Sequence, residues 1–149
     1  MDWLYAQKKL KPSTFAKAEG LAFGIPVQQA DILCPLWLLG EYIRSDQYKI
    51  QVMEELLQDK TTRDRAVCAV TVDRVIRHTR PGSGLRNWLM DHLAAFLSEK
   101  QLDGVLQILP DEMIRPLLRK CVAIRGGRRA NFDNDKCFYH DHVGTEKCK

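Results

Sequence analysis

One stretch limits the fold more than any other. From Leu85 to Leu97, the residues Leu85, Trp88, Leu89, His92, Leu93, Phe96 and Leu97 recur at intervals of three, one, three, one, three and one. That spacing holds them on one face of an α-helix for three turns, and no strand could do the same. Pro81-Gly82-Ser83-Gly84 precedes it as a turn, with Ser83 placed to cap the helix N-terminus. So wide an apolar stripe must be buried against other elements.

The surrounding chain supplies helices of the same kind. Ile32 to Leu57 reads as two helices around a short polar break at Ser45-Asp46. In the first, Ile32, Leu36, Leu39 and Ile43 define the apolar face; in the second, Tyr48, Val52 and Leu56 do, widened by Met53 and Leu57. Pro35 is harmless if the first helix starts at Cys34-Pro35, and implies a kink if it starts at Gln29. An earlier helix is expected after Pro12-Ser13-Thr14, stopped by Gly24-Ile25-Pro26. Val72, Val75 and Ile76 predict a short helix ending near His78, and Leu102, Val105, Leu106 and Leu109 another. Pro110-Asp111-Glu112 opens a last one, with Met113, Ile114, Leu117, Leu118 and Cys121 inward, Pro116 inside and Gly126-Gly127 at its end. The expected fold is all-α, with six or seven short helices over residues 1–124 and an irregular tail over 125–149.

A length of 149 residues and an apolar content of 45% suit one soluble domain with a real core. No apolar run approaches a membrane span. The first residues lack a basic-then-apolar leader, which favours an intracellular setting, cytoplasm or nucleus. Cys34, Cys68 and Cys121 lie in apolar patterns, where cysteine acts as a small buried hydrophobe. The net charge of +4 is mild and its signs are interspersed, which disfavours nucleic acid as a partner.

No residue pattern indicates an enzyme. His92 lies on an apolar face, as a core histidine would, and His78 ends a helix, where the dipole favours a cation. Gly82-Ser83-Gly84 lacks the lysine and spacing of a phosphate loop. Trp3, Trp37 and Trp88 read as core. Arg125, Arg128 and Arg129 beside Phe132 form a basic cluster, but neighbouring carboxylates dilute it, and a solvated helix end is the favoured reading.

The tail carries one chemical pattern. Cys137, His140, His142 and Cys148 are the side-chain types zinc prefers, and four complete a tetrahedral site. Metal could order a segment too polar to fold alone. The tight His-x-His spacing stands against this, and the competing reading is a polar tail, mobile unless something ties it down.

Three patches together resemble the BTB/POZ domains of fungal proteins. Trp3-Leu4-Tyr5 is similar to the family's "WLYT". Leu36 to Leu57, LWLLGEYIRSDQYKIQVMEELL, resembles its "L-x-x-LADKY-x-I-x-x-LQN-x-V-x-x-x-L" helix pair, with Gly40-Glu41 in place of Ala-Asp. Val72 to Asp91, VDRVIRHTRPGSGLRNWLMD, resembles "V-x-x-VYENT-x-x-GSPLR-x-L-x-VD", most specifically at Gly82 to Arg86. Related sequences often end in a similar Cys-x-x-His-x-His patch. The resemblance implies the C-terminal helical half of the domain plus its helical extension, without the N-terminal half that carries the main dimer surface. It also implies protein–protein interaction, as an adaptor or through self-association, with an apolar face left uncovered around Trp3, Tyr5 and the central helix pair.

Overall fold

The computed structural model describes residues 29–58, 67–127 and 136–141, and every regular element among them is helical. In order they are α1 (Gln29–Tyr42), α2 (Asp46–Gln58), α3 (Ala69–His78), α4 (Gly84–Phe96), α5 (Glu99–Ile108), α6 (Asp111–Arg125) and a 3-10 turn (Lys136–Tyr139). The all-α expectation therefore holds. The helix expected after Pro12, the Trp3–Tyr5 cluster and Arg128, Arg129 and Phe132 lie outside the described residues.

α1 and α2 pack on each other across a connection in which Arg44 takes a left-handed φ of 55°. Ser45 caps α2, its hydroxyl accepting from the Tyr48 N–H at 3.3 Å. The buried face of α1 differs from the expected one. It is Ala30, Leu33, Cys34, Trp37 and Gly40, while Leu39 and Ile43 are exposed. The segment ILCPLWLL is apolar nearly all round, so periodicity alone could not phase it. Close approach decides instead. A Cβ on Gly40 would sit 2.8 Å from Lys49 Cγ and 3.0 Å from Tyr48 Cδ1, so only the face bearing Gly40 lets α2 come near. Pro35 lies inside α1, not at its start.

α2 buries Val52, Met53, Leu56 and Leu57 as its stripe predicts. Asp31 of α1 reaches across to the start of α3, accepting from the Cys68 N–H at 3.3 Å and the Thr71 hydroxyl at 2.6 Å. It thereby holds the N-cap residue's own amide and a first-turn hydroxyl, while Cys68 makes no side-chain cap of its own. Cys68 is exposed, contrary to expectation, because it precedes the first turn of α3. Cys34 is fully buried, and that burial, reinforced by Asp31, pushes its thiol pKa up.

α4 runs where the sequence puts it. Leu85, Trp88, Leu89, His92 and Leu93 are all buried, with His92 stacked on Trp88 at 4.8 Å between centroids. Arg86, Met90 and Asp91 are buried too, so α4 is covered well beyond its apolar stripe. α5 contacts α3 and α6 lies along α4. In these outer helices only part of each stripe goes inward: Val105 and Leu109, then Met113 and Leu117. Leu102 and Leu118 stay exposed. Gly127, with φ of 87°, ends α6. No helix among the described residues is long and apolar enough to cross a membrane.

Candidate functional site: the tail turn on α4 and the apolar surface

The turn before α4 uses each residue of its Gly-Ser-Gly-Leu-Arg run. Gly82 adopts φ of 82°, open to glycine at no steric cost. The Ser83 hydroxyl accepts from the Arg86 N–H at 3.4 Å. Leu85 enters the core. Arg86 turns back beneath α3, donating from Nη2 to the carbonyls of Ile76 and of Thr79 (2.6 Å to the latter), and from Nε to the Thr79 hydroxyl at 3.2 Å. A guanidinium fork thus satisfies the carbonyl end of α3, where the helix dipole also favours a cation. Burial lowers the Arg86 pKa, and nearby Glu112 opposes that shift.

Gly84 serves a different purpose. The tail returns there, and an added Cβ would lie 1.7 Å from the Tyr139 carbonyl oxygen. Around this contact the turn is anchored at two residues. Tyr139 is fully buried and donates its hydroxyl to Asp91 Oδ2 at 2.7 Å, while Lys120 of α6 donates to Asp91 Oδ1. Burial, with the Asp91 hydrogen bond and charge, pushes the Tyr139 phenol pKa well up. Asp141 accepts from the Gly84 N–H at 2.8 Å, placing a carboxylate at the positive end of α4.

Asp141 also lies 4.0 Å from Lys49 of α2. Lys49 is buried, bonded to Glu41 at 2.7 Å and Asp46 at 2.9 Å, and lies 5.3 Å from the Trp37 ring centre. Its burial would lower its pKa, but the hydrogen bonds and charges of Glu41 and Asp46 outweigh that and raise it. Through Tyr139 and Asp141, the described segment 136–141 is therefore tied to α4 and to α2.

Of the four proposed zinc ligands, the structure describes two. Cys137, half-buried, and His140, buried, share one turn, with the His140 N–H donating to the Cys137 carbonyl at 3.2 Å. His142 and Cys148 lie outside the described residues. Among the described residues no three His, Cys, Asp or Glu side chains come together as a metal-sized group. Cys137 and His140 thus share the turn, with His140 between the anchors Tyr139 and Asp141 and Cys137 two positions before Tyr139.

Sequence reasoning missed Lys49, Arg86, Asp91, Tyr139 and Asp141. A signal for Gly84 existed: it opens a helix whose backbone needs no glycine there, so a close neighbour was required. Elsewhere, packing leaves apolar side chains in solvent at the end of α1, where Leu39, Tyr42 and Ile43 are 47%, 86% and 54% exposed. A trough of about 450 Å³ also opens between α4, α5 and α6.

No family model matches the chain, and neither a curated protein nor a solved structure shows significant similarity to it.

Proposed function

We propose that this chain is a non-enzymatic protein–protein interaction module, acting as an adaptor of the type its BTB/POZ resemblance implies. The observation that carries this reading is the apolar surface at Leu39, Tyr42 and Ile43. Residues three and four apart share a helix face, so these three form one patch and not scattered exposure. The buried charged groups support the same reading. Lys49, Arg86 and Asp91 each hold one helix to another, which is scaffold work. Size-exclusion chromatography with light scattering, together with binding of a hydrophobic dye, tests it. Self-association or dye binding that falls with Leu39→Ser and Ile43→Ser is expected. A strictly monomeric, cooperatively folding protein that ignores the dye rejects the reading.

A second reading is a zinc-binding tail built from Cys137, His140, His142 and Cys148. The docked turn favours it, because Cys137 and His140 lie on one turn beside the start of α4. Zinc there would order the tail and present Phe138, 44% exposed, to a partner. Metal analysis of protein purified without chelator decides it: one zinc per chain, lost in Cys137→Ala, is expected. Substoichiometric metal that Cys137→Ala leaves unchanged ends this reading.

A further inference from the structure

The tail turn sits on α4 as a bound peptide would. Its anchor is Tyr139, fully buried, whose hydroxyl donates to Asp91 Oδ2 at 2.7 Å. Two positions on, Asp141 accepts from the Gly84 N–H at 2.8 Å and lies 4.0 Å from Lys49 Nζ. The turn also closes on itself, the His140 N–H donating to the Cys137 carbonyl at 3.2 Å. The surface beneath keeps its partners without it. Asp91 retains Lys120 of α6, Lys49 retains Glu41 and Asp46, and Ser83 still caps α4 at the Arg86 N–H. Only the Gly84 amide would turn to water, as first-turn amides can. Lifting the turn therefore strands no buried charge, so one occupant can leave and another take its place. Gly84 fits the same picture. Its φ is not positive, and the three atoms nearest an added Cβ all belong to Tyr139 and Asp141. The missing side chain makes room for the occupant.

We propose that this surface of α4 and α2 is a recognition site for a Tyr-x-Asp segment, filled within one chain by residues 139–141 and between chains by the same segment of a second copy. Asp91 receives the phenol, Gly84 admits the backbone, and the α4 N-terminus with Lys49 receives the carboxylate. The segment whose fit is displayed is one that every further copy carries. Of the chain's four tyrosines, Tyr139 alone has a carboxylate two positions later. Two chains related by a two-fold axis can each lend the other its turn, as in domain swapping. The contacts are the same within and between chains, so the tether decides between them. Eight residues, 128–135, join Gly127 after α6 to Lys136. A short tether holds the turn at an effective concentration on the order of millimolar. Wild-type chains at micromolar concentration therefore stay closed, and exchange follows when the turn is displaced. The site is separate from Leu39, Tyr42 and Ile43 and does not depend on that patch.

Fluorescence anisotropy with a labelled peptide of residues 136–141, blocked at both ends and kept reduced and free of metal, tests the proposal on the full chain. Tyr139→Ala empties the site, and circular dichroism verifies its fold. Saturable binding to Tyr139→Ala is expected, with wild type at least about tenfold weaker because its own turn competes. A peptide with phenylalanine in place of Tyr139 should bind about tenfold or more weakly, having lost the bond to Asp91. Asp141→Lys sets a like charge beside Lys49 and loosens the turn without removing its aromatic anchor. It too should bind the peptide more tightly than wild type, and it carries the test if Tyr139→Ala unfolds. Between chains, Tyr139→Ala offers an empty site, and Gly84→Leu offers a released turn with its own site blocked. Sedimentation should show the two associating when mixed, beyond what either shows alone. Association through the Leu39 patch would appear equally in the separate samples. Equal peptide binding by wild type and both emptied variants, indifference to the phenylalanine exchange, or a mixture that sediments as its parts overturns the proposal. Each of these results leaves the interaction reading standing.

Discussion

Replacing Gly84 with alanine tests the docking of the tail directly. The new Cβ would lie 1.7 Å from the Tyr139 carbonyl oxygen and 2.6 Å from its carbon. Both are backbone atoms, so no rotamer change gives relief, and the turn must retreat by about 2 Å to reach van der Waals contact. Two outcomes are open to the chain. If the turn stays, overpacking costs ~1–3 kcal/mol. If it lifts away, the Tyr139 hydroxyl leaves Asp91, and a hydrogen bond to a charged group is worth ~1.5–3 kcal/mol. Either way the loss is of similar size, offset by ~0.5–1 kcal/mol from alanine's smaller backbone entropy. A net loss of ~2 kcal/mol should lower Tm by roughly 4–8 °C for a chain of this length, read by circular dichroism on heating. Gly104→Ala supplies the control, since nothing lies within 4 Å of its added Cβ inside α5. There the same chemistry should stabilise by ~0.5 kcal/mol or slightly more. Tyr139→Phe separates the two outcomes: it costs little further in a Gly84→Ala background if the turn has lifted, and its full amount if it has not. A Gly84→Ala protein as stable as wild type, moving in step with Gly104→Ala, would refute the docking argument.

Further outcomes follow from the same contacts. Arg86→Met strips the donors from the Ile76 and Thr79 carbonyls and should cost ~2–3 kcal/mol in urea unfolding, while Arg86→Lys keeps the charge but loses the fork and should recover only part. Because the folded-state pKa of Tyr139 is raised, its contribution is complete below the phenol's ordinary value of 10.0 and is lost as pH rises through the higher folded value. Thermal scans across alkaline pH should therefore show stability falling as pH rises above 10.0, less steeply in Tyr139→Phe. On the zinc reading, docking and metal binding are linked, so calorimetric titration should show weaker zinc affinity in Gly84→Ala than in wild type, and saturating zinc should restore part of its Tm.

What the residues disclosed depended on contrast along each helix. In α4 the apolar positions alternate with Arg, Asn and Asp, so the helix and its buried face were both legible. In α1 almost every neighbour is apolar, which identifies a helix but not its orientation, and Gly40 settled that through close packing. In α5 and α6 the stripes are as regular as in α4, yet Leu102 and Leu118 face solvent. Periodicity reports which residues share a face, not whether another element arrives to cover all of it. The buried polar groups were hidden for a different reason. Asp91 is satisfied by Tyr139 across 48 positions and the Gly84 amide by Asp141 across 57, and no local pattern encodes such pairings, while Lys49 and Arg86 find partners within ten positions that only the packing of neighbouring helices brings into reach.

The two most specific short patterns in the chain, the Gly-Ser-Gly-Leu-Arg run and the Cys-x-x-His patch, were read as separate features. In space they form one structure. Gly84 has no side chain because Tyr139 passes over it, and Tyr139 and Asp141 have polar ends because Asp91 and the Gly84 amide receive them. Of the metal-type residues, His140 lies between these anchors and Cys137 two positions before Tyr139. Both residues make contacts of their own and His140 is buried, so alanine at either position costs stability with or without metal. The response to zinc separates the two readings: a turn that holds zinc gains Tm when zinc is added and loses that gain in Cys137→Ala and His140→Ala, whereas a turn held by its anchors alone shows the same Tm with and without zinc in wild type and in both variants.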